Sequence, residues 1–470
     1  MKTKILSIMA VAAAALSLTS CDDYLNIEPK GKRIPKDLAD YEAFMRYEYG
    51  MHMMPVAQTS YLLNDKYLTN SYASYYPMYA ANFNWDTSID RVYENKSDEG
   101  VYYYGYGNIY YCNLILEDAP STTNATEAEK NELMAYARVL RAMNYFNLAN
   151  YYAPTYQTST ASTQLCVPLI TSSLQDAAFT QGTVQQVYDL IVSDLTEALP
   201  NLPDKGTTLL HPGKGAAYAM LARTYLQMMD YDKALEYAEK ALAINKTLVD
   251  WVGFYKENQE YINAEDTYQS LASPLGFDSE DCYNFNYGDN SPNYASRIQN
   301  MPVARAEKFE AGDVYFKSNW KLRTVGTETY YYGLTSGYIN YQGMRTVEQY
   351  LIKAECLARK GQLSDAMEVL NTVRQTYILP DQYQPLTAST EAEAIGYIRQ
   401  AKDNHLIYSI VPFADARRYN AEGKYTRTLT KEVNGKQVSL TPDSYLWTFP
   451  FPQGAIDNPG NGTITQNVEK

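Results

Sequence analysis

Apolar positions recur three and four residues apart through much of the chain, so the elements read mainly as amphipathic helices. After Thr126, the residues Leu133, Tyr136, Leu140, Met143 and Phe146 trace one apolar face, and Pro154 closes that segment. Three capping boxes mark helix starts: Thr126 with Glu129, Thr183 with Gln186, and Thr390 with Glu393. Residues 183–199 form a second amphipathic helix, closed by Pro200 and Pro203.

The segment 215–245, GAAYAMLARTYLQMMDYDKALEYAEKALAIN, alternates small and large residues. Ala222, Tyr225, Ala234 and Ala241 fall where a tetratricopeptide-like helix pair needs them, with small residues letting two helices approach. Segment 346–374, TVEQYLIKAECLARKGQLSDAMEVLNTVR, repeats the pattern. Ala354 and Ala366 keep the spacing of Ala222 and Ala234, Leu363 corresponds to Tyr231, and Gly361 sits at the turn. About a hundred residues separate the two segments, so the pattern predicts a helical-repeat scaffold carrying a large insertion.

Periodicity fails in three regions. Residues 59–104 hold SYASYYPMYAANFNW and GVYYYGYG, and residues 250–343 hold YNFNYGDNSPNY and TETYYYGLTSGYINYQG. Both read as long irregular loops, where binding residues concentrate. Residues 420–470, with Pro442, Pro450, Pro452 and Pro459, read as a wrapping tail. Asn434-Gly435 predicts a hairpin within 425–440. The fold class expected is mainly α.

The N-terminus is an address. Lys2 and Lys4 precede an apolar run from Ile5 to Leu18, too short to span a bilayer, ending in Leu18-Thr19-Ser20-Cys21. Cleavage before Cys21, with lipid on that cysteine, is the expected processing, and Asp22-Asp23 resembles a surface-export signal. Residues 21–40 then read as a polar tether. Losing two positive charges takes the net charge from -14 to -16. That balance excludes a nucleic-acid surface, which needs cations to displace counterions. Four cysteines remain, with no metal-ligating spacing; a Cys166–Cys282 disulfide is one pairing open to them.

Catalytic chemistry finds no motif. His52, His211 and His405 form no HExxH or close pair, and there is no GxSxG elbow. No cofactor is expected. Asp278, Glu280 and Asp281 offer hard oxygens for a structural Ca²⁺ but lack an EF-hand loop and read as a solvated acidic turn. Recognition is the stronger reading, because 47 of the 470 residues are tyrosine. An aromatic face beside amide and carboxylate groups suits a sugar. The candidate ligand contacts are Trp85 with Asn84, Asp86 and Tyr75 in the first region, and Tyr287, Asp289, Asn290, Tyr294 and Trp320 in the second.

Several stretches together resemble the SusD/RagB family. They are the lipobox, Arg141-Ala-Met-Asn-Tyr-Phe146, Arg345-Thr-Val-Glu348-Gln-Tyr350 through Arg374, Phe413-Ala-Asp415-Ala-Arg417-Arg418-Tyr419, and the ending Trp447-Thr-Phe-Pro450. The resemblance implies an α-helical domain over 41–470, with helix pairs near 126–152, 183–245, 344–377 and 391–418. It implies an outer-membrane lipoprotein facing the cell exterior, acting as lid on a TonB-dependent SusC-like barrel. The cargo implied is a glycan, or alternatively a peptide; a secreted glycosidase is a more distant reading. The resemblance also implies structural ion pairs for Arg345, Glu348 and Arg417.

Overall fold

The computed structural model describes residues 35–47, 50–95, 100–264, 271–288 and 299–469. Cys21 and the segment before it lie outside the described residues, as do Asp289, Asn290 and Tyr294.

Ten principal helices build the body: α1 (Gly100–Asp118), α2 (Glu127–Tyr152), α3 (Val184–Ala198), α4 (Lys214–Gln227), α5 (Tyr231–Ile244), α6 (Trp251–Asn263), α7 (Thr346–Arg359), α8 (Leu363–Arg374), α9 (Glu391–His405) and α10 (Val411–Glu422). Successive helices pack from α1 to α5, and α5 then packs directly against α7, α7 against α8 and α9. The two repeat segments are therefore adjacent layers of one stack, and the insertion leaves the stack and returns to it. Ala222, Ala234, Ala241, Ala354 and Ala366 are fully buried at these contacts. Gly361 turns α7 into α8 at φ 76°, a left-handed conformation that costs glycine little.

The capping boxes at Thr126 and Thr183 form as predicted. At Thr390 only half of the box forms. Its hydroxyl accepts from the Glu393 N–H, while the Glu393 carboxylate accepts from the Ser389 N–H instead.

GVYYYGYG, read as loop, opens helix α1. The buried positions Val101, Tyr102, Gly105, Asn108, Ile109 and Cys112 follow helical spacing, which the glycines and tyrosines between them obscured. At Gly105 an added Cβ would meet Leu148 of α2 at 3.0 Å, so the missing side chain sets the approach of α1 to α2.

Strands are few. Hairpins join β1 (Leu165–Leu169) to β2 (Thr180–Thr183), β3 (Trp320–Val325) to β4 (Glu328–Gly333), and β5 (Leu429–Val433) to β6 (Lys436–Leu440). The last turns through Asn434 and Gly435, both at positive φ, as Asn-Gly predicts. The tail beyond it wraps the end of α2: Phe449 stacks on Tyr151 at 4.1 Å and Phe451 on Tyr152 at 5.0 Å.

Buried charges lock the stack. Glu348 takes two bonds from Arg223, at 2.7 and 2.6 Å. Glu355, fully buried, accepts from Arg418, Lys402 and Arg359, and Asp415 shares Arg418 and Lys402. Burial alone would raise the Glu355 carboxyl, but these cations hold it well below the usual range. Arg345 pairs with Asp281 at 3.3 Å. Asp281 is therefore a buried ion-pair partner and not part of a solvated turn. Arg417 departs from the implied ion pair: it donates to the Asn150 and Ala153 carbonyls at the end of α2. Burial lowers its pKa to about 10. Cys112, Cys166, Cys282 and Cys356 are buried free thiols, so the Cys166–Cys282 disulfide does not form.

Candidate ligand-binding surface

The segment before α1 folds into short helices, Ala57–Leu62, Asn70–Tyr75 and Pro77–Asn84, where sequence patterning predicted a loop. Thr69 caps the second by accepting from the Tyr72 N–H, and Pro77 opens the third at its first turn, where no N–H is needed.

Trp85 ends the third helix at φ 51°. Its indole N–H donates to the Leu62 carbonyl at 2.7 Å, and the residue is 5% exposed. The ammonium of Lys431, from β5, sits 4.9 Å from its ring and 3.8 Å from the Phe83 ring. Trp85 is thus an anchor that pins the third helix onto the first, and its faces are not presented to a ligand. Trp320 is equally buried, donating from its indole to the Gln299 carbonyl at 2.8 Å. Tyr287 is 2% exposed, its backbone paired with residues 52–54 and its ring against Tyr338 at 4.9 Å. The physical reason is common to all three: large apolar area is worth more buried than offered to water. Asn84 and Asp86 are half-buried, and Asp86 accepts from the Ser88 N–H and hydroxyl. Of the candidates named from sequence within the described residues, Tyr75 stands fully in solvent, 77% exposed.

Around Tyr75 the structure assembles what sequence reasoning missed. Tyr72 lies 4.9 Å from Tyr76, Tyr76 stacks on Tyr79 at 5.1 Å, and Tyr79 meets Tyr61 at 4.9 Å. This ladder runs from the exposed rings of Tyr72 and Tyr76, through half-buried Tyr79, to buried Tyr61. Its inner end fixes the ring positions, so the outer end presents aromatic surface with little rotamer freedom left to lose. The signal lay in the spacing of Tyr72, Tyr76 and Tyr79, one helical turn apart within YASYYPMY, across the Pro77 break.

The β3–β4 hairpin closes one side. Tyr67 stacks on Tyr330 at 4.8 Å, and Glu328 accepts from the Tyr67 hydroxyl at 3.0 Å and from the Asn70 N–H at 2.9 Å. Burial, then Glu328, pushes the Tyr67 phenol up to about 12, so it remains a donor near neutral pH. The two irregular regions of the sequence meet here, through residues more than two hundred and fifty positions apart.

His52, His211 and His405 are all buried, and burial holds His52 neutral, near pKa 4. Among the described residues no cluster of three His, Cys, Asp or Glu side chains could hold a metal ion. No described helix is long and apolar enough to cross a membrane.

Comparisons with known proteins agree with this architecture. A family model described as starch-binding and associating with the outer membrane matches residues 23–226, and the SusD family model matches residues 314–469. A SusD-like protein of Formosa agariphila is 30% identical over 120 residues, which span 25% of this chain and 21% of that protein. A solved putative sugar-binding protein of Bacteroides vulgatus covers 93% of this chain and all of its own, with TM-score 0.67 at 18% identity. The surface glycan-binding protein A of Bacteroides uniformis covers 92% of this chain and 99% of its own, with TM-score 0.63 at 18% identity. At such identities the structural likeness speaks for the fold.

Proposed function

The chain belongs to the SusD family, and from that premise we propose that it is a cell-surface binding protein for an oligosaccharide, held by lipid on Cys21. In this reading it captures nutrient glycans and passes them to a SusC-like, TonB-dependent outer-membrane barrel. No bond is made or broken.

The observation that carries the proposal is the tyrosine ladder, exposed at Tyr72 and Tyr76 with Tyr75 in solvent beside it, on a helix whose first N–H, at Asn70, is held by Glu328. Aromatic faces take the apolar side of a sugar ring, and the phenol, amide and carboxylate groups at its edge take hydroxyls. All four tryptophans are buried, so stacking on this protein falls to tyrosine. Tyrosine-rich surfaces also suit extended peptides, which keeps a peptide cargo as the second reading.

Calorimetric titration of the chain from Asp22 with host glycans, plant glycans and mixed oligopeptides tests this. A glycan class that binds without breakdown, and loses about thirtyfold in affinity in Tyr72→Ala/Tyr76→Ala at about 1 kcal/mol per ring, supports it. Peptide-only binding moves the assignment to the second reading, and product formation refutes both.

A further inference from the structure

We propose that the cleft between α9, α10 and the β5–β6 hairpin is a binding site for one oxyanionic group: a carboxylate, sulfate or phosphate. It is separate from the tyrosine ladder and does not depend on the glycan reading.

The cleft has a cavity of about 50 Å³. That is room for a few waters or one small tetrahedral group. Four cationic side chains line it, Arg305, Lys308, Arg399 and Arg427, against two carboxylates, Asp65 and Asp403. Asp65 is committed to Arg305 at 2.5 Å. Asp403 takes Arg427 at 2.9 Å and lies 3.9 Å from Arg399 Nε. The lining is therefore left with an excess of positive charge, in a chain whose net charge is -14.

Among the described residues, two polar atoms at the cleft lack hydrogen-bond partners: Nε of Arg399 and Nδ2 of Asn420. Arg399 is 6% exposed, and its Nη1 donates to the Tyr425 carbonyl at 2.6 Å. Buried polar groups without partners are costly and uncommon. Both orphaned atoms are N–H donors, so what satisfies them must be an acceptor, and the surplus charge makes an anionic acceptor the best fit. Burial lowers the Arg399 pKa, Asp403 opposes that and Arg427 adds to it. An oxyanion accepting from Arg399 and Asn420 would offset that burial, alongside the Asp403 carboxylate that already lies against both Arg399 and Arg427. Arg427, partly exposed, stands where such a group would enter.

The test uses the mature full-length chain in sodium sulfate, sodium phosphate or sodium glucuronate, against sodium chloride at equal ionic strength. Titration calorimetry is expected to show saturable binding of at least one oxyanion, weakened at least tenfold in Arg427→Gln and in Asn420→Ala. Arg399→Gln should abolish it; if that variant does not fold, the other two variants decide. Binding of the inorganic ions alone identifies a free-ion site. Binding of glucuronate, and of a disaccharide ending in it, identifies an acidic sugar group, and either supports the proposal. Absence of saturable binding by all three anions overturns it. So does binding unchanged in both Arg427→Gln and Asn420→Ala.

Discussion

The helical stack and the tyrosine ladder use the same residue type to opposite ends. In the stack Tyr225 lies flat on Tyr237 at 5.5 Å and fills a seam between α4 and α5. In the ladder the rings of Tyr72 and Tyr76 lie as close, tilted at 31°, yet each keeps nearly half of its surface in water. The stack closes its surfaces by burying charge in pairs, as at Glu355 and Arg418. The ladder leaves one end open because it is anchored at the other, by Tyr61 and Trp85. Rigidity comes from burial in both places. Availability to a ligand comes only where the burial stops short.

The sharpest way to break this contrast is in the stack. Glu355→Ala strands Arg418, Lys402 and Arg359 without their shared carboxylate, and is expected to cost about 3–5 kcal/mol in denaturant unfolding. The same carboxylate governs acid stability. Its folded pKa lies below its unfolded value, so its contribution is complete above about pH 4.3 and is lost only as pH falls through the folded value. A mid-point of acid unfolding shifted upward in Glu355→Gln checks the sign.

At the anchored end of the ladder, Trp85→Ala removes a buried ring and its bond to Leu62. It is expected to cost about 3 kcal/mol in thermal or denaturant unfolding. Ligand affinity should fall only as far as the helix 77–84 loosens. A variant that keeps full stability yet loses binding would return Trp85 to the ligand site. The smallest effect is expected at the join between the two regions. Glu328→Gln keeps the shape but weakens the acceptance from Tyr67 and Asn70, by about 1 kcal/mol. Its signature is a modest loss of affinity with the unfolding mid-point of the stack unchanged.

Much of the stack was legible in the residues. Small-residue spacing located α4, α5, α7 and α8; capping boxes located the starts of α2 and α3; Asn434-Gly435 located a hairpin. Each of these is a local rule, satisfied by residues within a turn or two of one another. The ladder was less legible. Trp85 attracted the binding assignment because an indole beside Asn84 and Asp86 looks like a sugar contact in isolation. Its fate was set by Leu62 and Lys431, which no local pattern places next to it. Tyr287 attracted the same assignment in the same way and is buried. Asn284, Asn286 and Asn340 are buried and bond to one another and to backbone, holding the insertion together.

By itself, then, the sequence determined the helical class, the two repeat layers, the turns between their helices and the tail's hairpin. Backbone hydrogen bonding and side-chain periodicity act over a few residues, and those residues are read directly. Only the tertiary structure decided which aromatics face water, that α1 begins inside a glycine- and tyrosine-rich stretch, and that residues 67–70 meet Glu328. Burial depends on what arrives from elsewhere in the chain, and a tyrosine is equally suited to a seam or to a surface until its neighbours are known.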